Sequence, residues 1–337
     1  MIATPMQPVY ITGHSRPVRK VLHNHDGDLL FSCSDDGTVC IFDTHQCERV
    51  GVFEIKEACK SISITKDSKH LVCAPTTKGI TIYSVEDGKK VGAMQVPGNF
   101  SKHVALSYSD KFVLVIYEAH KVNYIRIYKL EDCMKEDNDN CKPVHEIKAP
   151  EDISYTDAVW GPLDKSLYIS TNFGKVLFYD LDRKKVEMEE QVHRDEIFQL
   201  NLTHDFTMMT TASRDGTSKI LNPRDLSTVR QFIYGKPCRT AIVSPLFDDP
   251  NHQKFHILAG GGQDAQKVTT TTADQGGFEM KLWSVIFEEQ LAETHGHFGP
   301  VHSIDFSPDG YAFASGAEDG YVHYHKFPPE YFTKKFE

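Results

Sequence analysis

The side chains best equipped for chemistry in this chain are its histidines and cysteines. His23-Asn24-His25-Asp26 and His323-Tyr324-His325 each hold two imidazoles two residues apart, and on a strand that spacing puts both on one face, as a metal pair requires. Neither pair has a third soft ligand close in sequence and the first overlaps a turn, so both read as surface histidines. The eight cysteines, Cys33, Cys40, Cys47, Cys59, Cys73, Cys133, Cys141 and Cys238, include no Cys-x-x-Cys pair and no zinc-like spacing. Free thiols in a reducing compartment are expected. Gly260-Gly261-Gly262 follows a strand-like run but opens no helix whose dipole could hold a phosphate. Neither a Gly-x-x-x-x-Gly-Lys-Ser/Thr loop nor a Gly-x-Ser-x-Gly elbow occurs. No catalytic residue, cofactor or metal is therefore expected.

The elements around these residues repeat. Gly296-His297 opens a unit with apolar alternation at Val301, Ile304 and Phe306, a turn at Ser307-Pro308-Asp309-Gly310, a small-residue run Phe313 to Gly316, a turn at Glu318-Asp319-Gly320 and a strand Tyr321 to Lys326. Fainter copies precede it. Their third strands close at Asp43, Ser84, Lys129, Asp180, Asn222, Ser284 and Lys326, a period near 42 broken by two insertions. One unit cannot bury its own face, and seven units of about four strands each fit a closed propeller. The expectation is a single all-β domain over residues 1–337, with blades at 13–52, 53–97, 98–148, 149–191, 192–233, 234–294 and 295–327. The run Met6 to Thr12 is expected to complete the last blade and close the ring, because that blade otherwise has three strands.

Hydrophobic residues at 40% support a sizeable core, and no run is long enough to cross a membrane. Met1 to Pro8 has no basic n-region or apolar stretch, so no secretory signal is expected. A formal charge of -10 argues against strong direct binding to nucleic acid. Of the two insertions, Gln263 to Gly277 falls on the face of the Asp-Gly turns, where a polar, flexible loop carries contacts or is simply solvated. The acidic run Glu131 to Asp139 falls on the opposite face and reads as solvated.

Gly-His before a first strand, Asp-Gly at the second turn and an aromatic residue closing the third strand resemble the WD-repeat family of seven-bladed propellers. The resemblance implies a buried hydrogen-bonded set of His, strand Ser or Thr, turn Asp and Trp in each well-formed blade. Its members here are His14, Ser32 and Asp36 with Phe42; His193, Thr211 and Asp215 with Leu221; and His297, Ser315 and Asp319 with His325 in the Trp place. Their implied role is structural. Ala259 to Ala265, Val268 to Thr271, Ile286 to Glu289, Gly296 to Pro300, Ser315 to Gly320 and Tyr331-Phe332 further resemble the i subunits of eukaryotic translation initiation factor 3. That implies a non-catalytic cytoplasmic scaffold, held chiefly by the C-terminal segment of the b subunit and also by the g subunit. It would support assembly on the small ribosomal subunit, itself contacted indirectly, and mRNA recruitment or scanning. The resemblance puts the main contact around blades five and six, at Asp205, Ile220, Asn222 and Arg224 by position. A generic WD-repeat adaptor of a signalling or ubiquitin-ligase complex shares the fold features and is opposed only by the last-quarter match.

Overall fold

Short runs of β-branched and aromatic residues, alternating in and out between turn residues, form strands that must pair and then stack. The computed structural model describes residues 8–77, 79–98, 100–135, 141–250, 252–263 and 277–333. Most of the Gln263 to Gly277 insertion, the later part of the acidic run, and Met6 and Gln7 lie outside the described residues. The strands form seven antiparallel sheets of four, each sheet a meander in chain order except the last. That sheet comprises Val301–Phe306, Ala312–Ala317, Tyr321–Lys326 and, as its outer strand, Val9–Thr12. Val9 pairs with Tyr324 and Thr12 with Tyr321, so the start of the chain closes the ring.

Each pair of neighbouring blades encloses one buried apolar cluster, among the described residues. The cluster between blades seven and one joins Ile11 to Val18, Val21, Phe42, Ala314 and Val322. The N-terminal strand thus supplies core as well as hydrogen bonds. In every blade the first strand bulges near its start, as at Val18/Lys20, Ile197/Gln199 and Val301/Ser303. A bulge breaks the pairing locally and re-aims side chains.

Between blades the first strands do not pair through their backbones, so their buried amides need other acceptors. Side chains just past the bulge supply them. Asp157 accepts from Leu200 N at 2.8 Å, Gln199 from Ala241 N at 3.2 Å, Thr240 from Ile304 N at 3.2 Å and Ser303 from Val21 N at 3.2 Å. Each bond runs from one blade to the next around the channel. Asp157 also meets His103 of blade three at 3.1 Å and so ties three blades together.

Candidate functional site

The inferred polar sets form in all three blades. In blade one, His14 Nδ1 lies 3.0 Å from Asp36 Oδ2 and His14 Nε2 lies 2.6 Å from Ser32 Oγ. Blade five repeats this with His193, Asp215 and Thr211 at 3.0 and 2.6 Å, and blade seven with His297, Asp319 and Ser315 at 3.0 and 2.9 Å. Each carboxylate takes the Nδ1 proton, leaving Nε2 to accept from the hydroxyl. It also accepts backbone amides of the turns it ties together, those of Ser15, Arg194 and Phe298. Burial would raise Asp36 and Asp215, but hydrogen bonds from Thr38 and Ser15, and from His193, Thr217 and Arg194, outweigh it and hold both below the usual carboxylate range. Burial pushes His14 and His193 down.

Ser-His-Asp in line is also how hydrolases activate a nucleophile. Here the hydroxyls of Ser32, Thr211 and Ser315 belong to residues with no solvent exposure, each in the second strand of its sheet. No substrate carbonyl can approach them. The sets join a connecting loop, a strand and a turn.

Blade seven departs from the other two, and here the surface reading of the histidine pairs fails. His323 and His325 are buried, as is His23, while only His25 of that pair is exposed. Alternation does put His323 and His325 on one face, but that face packs inward. His325, in the Trp place, stacks on Phe313 at 4.5 Å and neither of its ring nitrogens has a hydrogen-bond partner. His323 stacks on His297 at 3.6 Å with 6° between the planes. Burial, then the neighbouring His297, pushes His323 down to about 3, and burial holds His325 well below its ordinary value. His297, Asp319 and His323 each present one ligand atom within 4.8 Å of the others. Parallel stacked rings share no in-plane point at which both lone pairs converge, and both nitrogens of His297 are already bonded. The arrangement does not fit zinc.

The accessible chemistry is on the lower face, opposite the Asp-Gly turns. There the turn between the first two strands ends in a left-handed residue: Gly27 (φ 79°) and Gly310 (φ 71°) in blades one and seven, Ser68, Asp110 and Phe206 (φ 58–59°) in blades two, three and five. Blade four places Leu163 and Asp164 together at φ 58°. Left-handed backbone costs a residue with a side chain about 1–2 kcal/mol, and Leu163 recovers none of that by packing, being 82% exposed. Asp164 accepts Tyr108 N at 2.8 Å and Ser109 N at 3.1 Å from blade three. The Tyr108 ring in turn meets Phe206 of blade five at 5.3 Å.

Asp205 and Arg224 are exposed on this same face, in the two lower connections of blade five. Asp205 is held in its turn by the Thr203 and Thr207 hydroxyls, each at 2.6 Å. Asn222 is half-buried and accepts Arg224 N at 3.1 Å. Ile220 is 1% exposed and belongs to the cluster between blades five and six, so its side chain offers no surface anchor. Beside Asp205, a cavity of about 150 Å³ is lined by Thr203, His204, Val243, Pro245, Phe247 and Pro308 of blades five to seven. The strained apolar tips Leu163 and Phe206 escaped sequence reasoning; the available signal was a large apolar residue where sibling turns carry glycine, for Phe206, or aspartate, for Leu163.

Among the described residues no helix is long and apolar enough to cross a membrane. Residues 6–337 match the family model EIF3I. The chain is 31% identical over 341 residues to eukaryotic translation initiation factor 3 subunit I of Xenopus laevis, an alignment covering 98% of this chain and 100% of the relative. It is 30% identical to the human protein of that name over 340 residues, with the same coverage, and 29% identical to that of Brugia malayi over 331 residues, 97% of this chain and 98% of the relative. With seven blades, the hydrogen-bonded sets in place and a match over nearly its whole length, this chain belongs to the EIF3I family, the i subunits of eukaryotic translation initiation factor 3.

Proposed function

We propose that the chain is a non-catalytic scaffold of the cytoplasmic initiation factor, held by other subunits, chiefly the b subunit's C-terminal segment and also the g subunit. In this role it would support assembly on the small ribosomal subunit and mRNA recruitment or scanning. The observation that carries the non-catalytic reading is the complete burial of the three hydroxyls that a histidine and aspartate could activate. Docking at blades five and six is supported by exposed Asp205 beside a partly apolar cavity and by exposed Arg224 in the other lower connection of blade five, since an interface combines a desolvated anchor with charged neighbours. Asn222 would contribute from the same connection, with Ile220 packing beneath it.

Because Asp205 anchors its turn, the test keeps the oxygen that accepts from Thr203 Oγ1 and Thr207 N: Asp205→Asn combined with Arg224→Glu, titrated calorimetrically with the b subunit's C-terminal segment. We expect about tenfold or greater weakening at an unchanged melting temperature. Unchanged affinity would remove these residues from the interface.

A further inference from the structure

Phe206 occupies the turn position that glycine fills in blades one and seven; in blade four Asp164 takes that position, and the residue before it, Leu163, is left-handed as well. In blade four, Pro162 to Lys165 is a mirror-image hairpin turn, closed by Lys165 N to Pro162 O at 3.3 Å with both central residues at φ 58°. Asn-Gly is the pair that suits it. A leucine at such a tip is aimed into solvent. Strain held at an exposed apolar residue, without a packing return, points to a contact made outside the fold. The tip is also held in place, since Asp164 clasps two amides of blade three and Lys66 Nζ lies 3.4 Å over the Tyr108 ring. A fixed apolar surface loses little freedom when a partner covers it.

Tyr108, half exposed, bridges to Phe206, and Phe206 follows Asp205 in the chain. Over the seven blades these turns carry more aspartates, Asp67, Asp110, Asp205 and Asp248 among them, than lysines, although Lys69, Lys111 and Lys165 stand there too; Lys66 is already engaged on Tyr108. We propose that Leu163, Tyr108 and Phe206 form a docking patch for a basic amphipathic segment, the continuation of the chain that lies against blades five and six. The inference rests on the docking reading above. It extends that site along the lower face to the neighbouring blades four and three, with an apolar partner residue on Leu163 and basic ones near the aspartates. The carboxylates disfavour a nucleic-acid occupant.

The test is Leu163→Asn in the full chain, titrated with the b subunit's C-terminal segment beside a thermal melt. Asparagine tolerates the left-handed position, so the melting temperature should hold or rise while affinity falls about tenfold. Phe206→Asn should weaken binding in the same sense. Unchanged affinity for Leu163→Asn, with weakening by Asp205→Asn/Arg224→Glu, would overturn the patch and leave docking at blade five standing. Unchanged affinity in both would overturn the docking reading itself. Binding of a single-stranded RNA oligonucleotide that is lost on Leu163→Asn would assign the patch to nucleic acid and equally overturn the proposal.

Discussion

His325 shows how one residue changes the chemistry of a blade. A tryptophan there could donate to Ser315; the histidine reaches nothing, and stacks on Phe313 with two orphaned nitrogens. Unfolding lets such a group take up a proton near pH 6.5, whereas the folded state keeps it neutral far lower. The unfolded state therefore binds more protons below that pH, so this contribution to stability is intact above about 6.5 and is lost on acidification. His323, pushed down to about 3, acts in the same direction. Thermal melts from pH 8 to 4.5 should fall below about 6.5, and His325→Phe should flatten that fall by about 1.4 kcal/mol per pH unit while raising stability at neutrality. An unaltered slope would mean that His325 is accessible to protons when folded. For the regular sets, Asp215→Ala should cost about 1–3 kcal/mol by removing the acceptor shared by His193 Nδ1, Arg194 N and Thr217, read as a lowered melting temperature. Metal analysis after dialysis should find no stoichiometric zinc, because stacked His297 and His323 cannot share an ion. The residues of these sets were legible from their motifs. Burial of Ile220 was not, since alternation alone does not say which side of a strand meets the next blade.

At the scale of elements, the turns and strands were legible because their residue types answer local backbone demands. The bonds between inner strands were not. They join residues between 42 and 282 apart in sequence, and an aspartate such as Asp157 looks like any strand-edge carboxylate until its neighbour's amide is seen. Asp157→Ala leaves Leu200 N and His103 without their partner across two blade junctions. It should therefore destabilise more than removal of an exposed carboxylate such as Asp182, by about 1–3 kcal/mol against about 0.5 kcal/mol or less. Equal effects on denaturant midpoints would show that water replaces those bonds freely. The left-handed tips were visible in hindsight only by aligning the blades and noticing Phe206 where Gly27 and Gly310 stand, and Leu163 where Asp26 and Asp309 stand.

For the whole molecule, stability is distributed over seven blade junctions and depends on each being closed. Removing Val9–Thr12 strips an outer strand and Ile11 from the junction of blades seven and one, leaving an exposed edge. Such a truncation should melt at lower temperature and aggregate more readily, as light scattering during a thermal ramp would register. The same strand also sets an order of events on the ribosome. It is made before every blade, yet the strand it pairs with among the described residues, Tyr321–Lys326, is made after six blades are complete. Throughout synthesis the growing arc of blades therefore carries an unmatched strand at its leading end, and the final contacts span nearly the whole sequence, the costliest kind of contact to wait for. A subunit of the machinery that starts translation thus cannot close its own ring until its last blade has been translated.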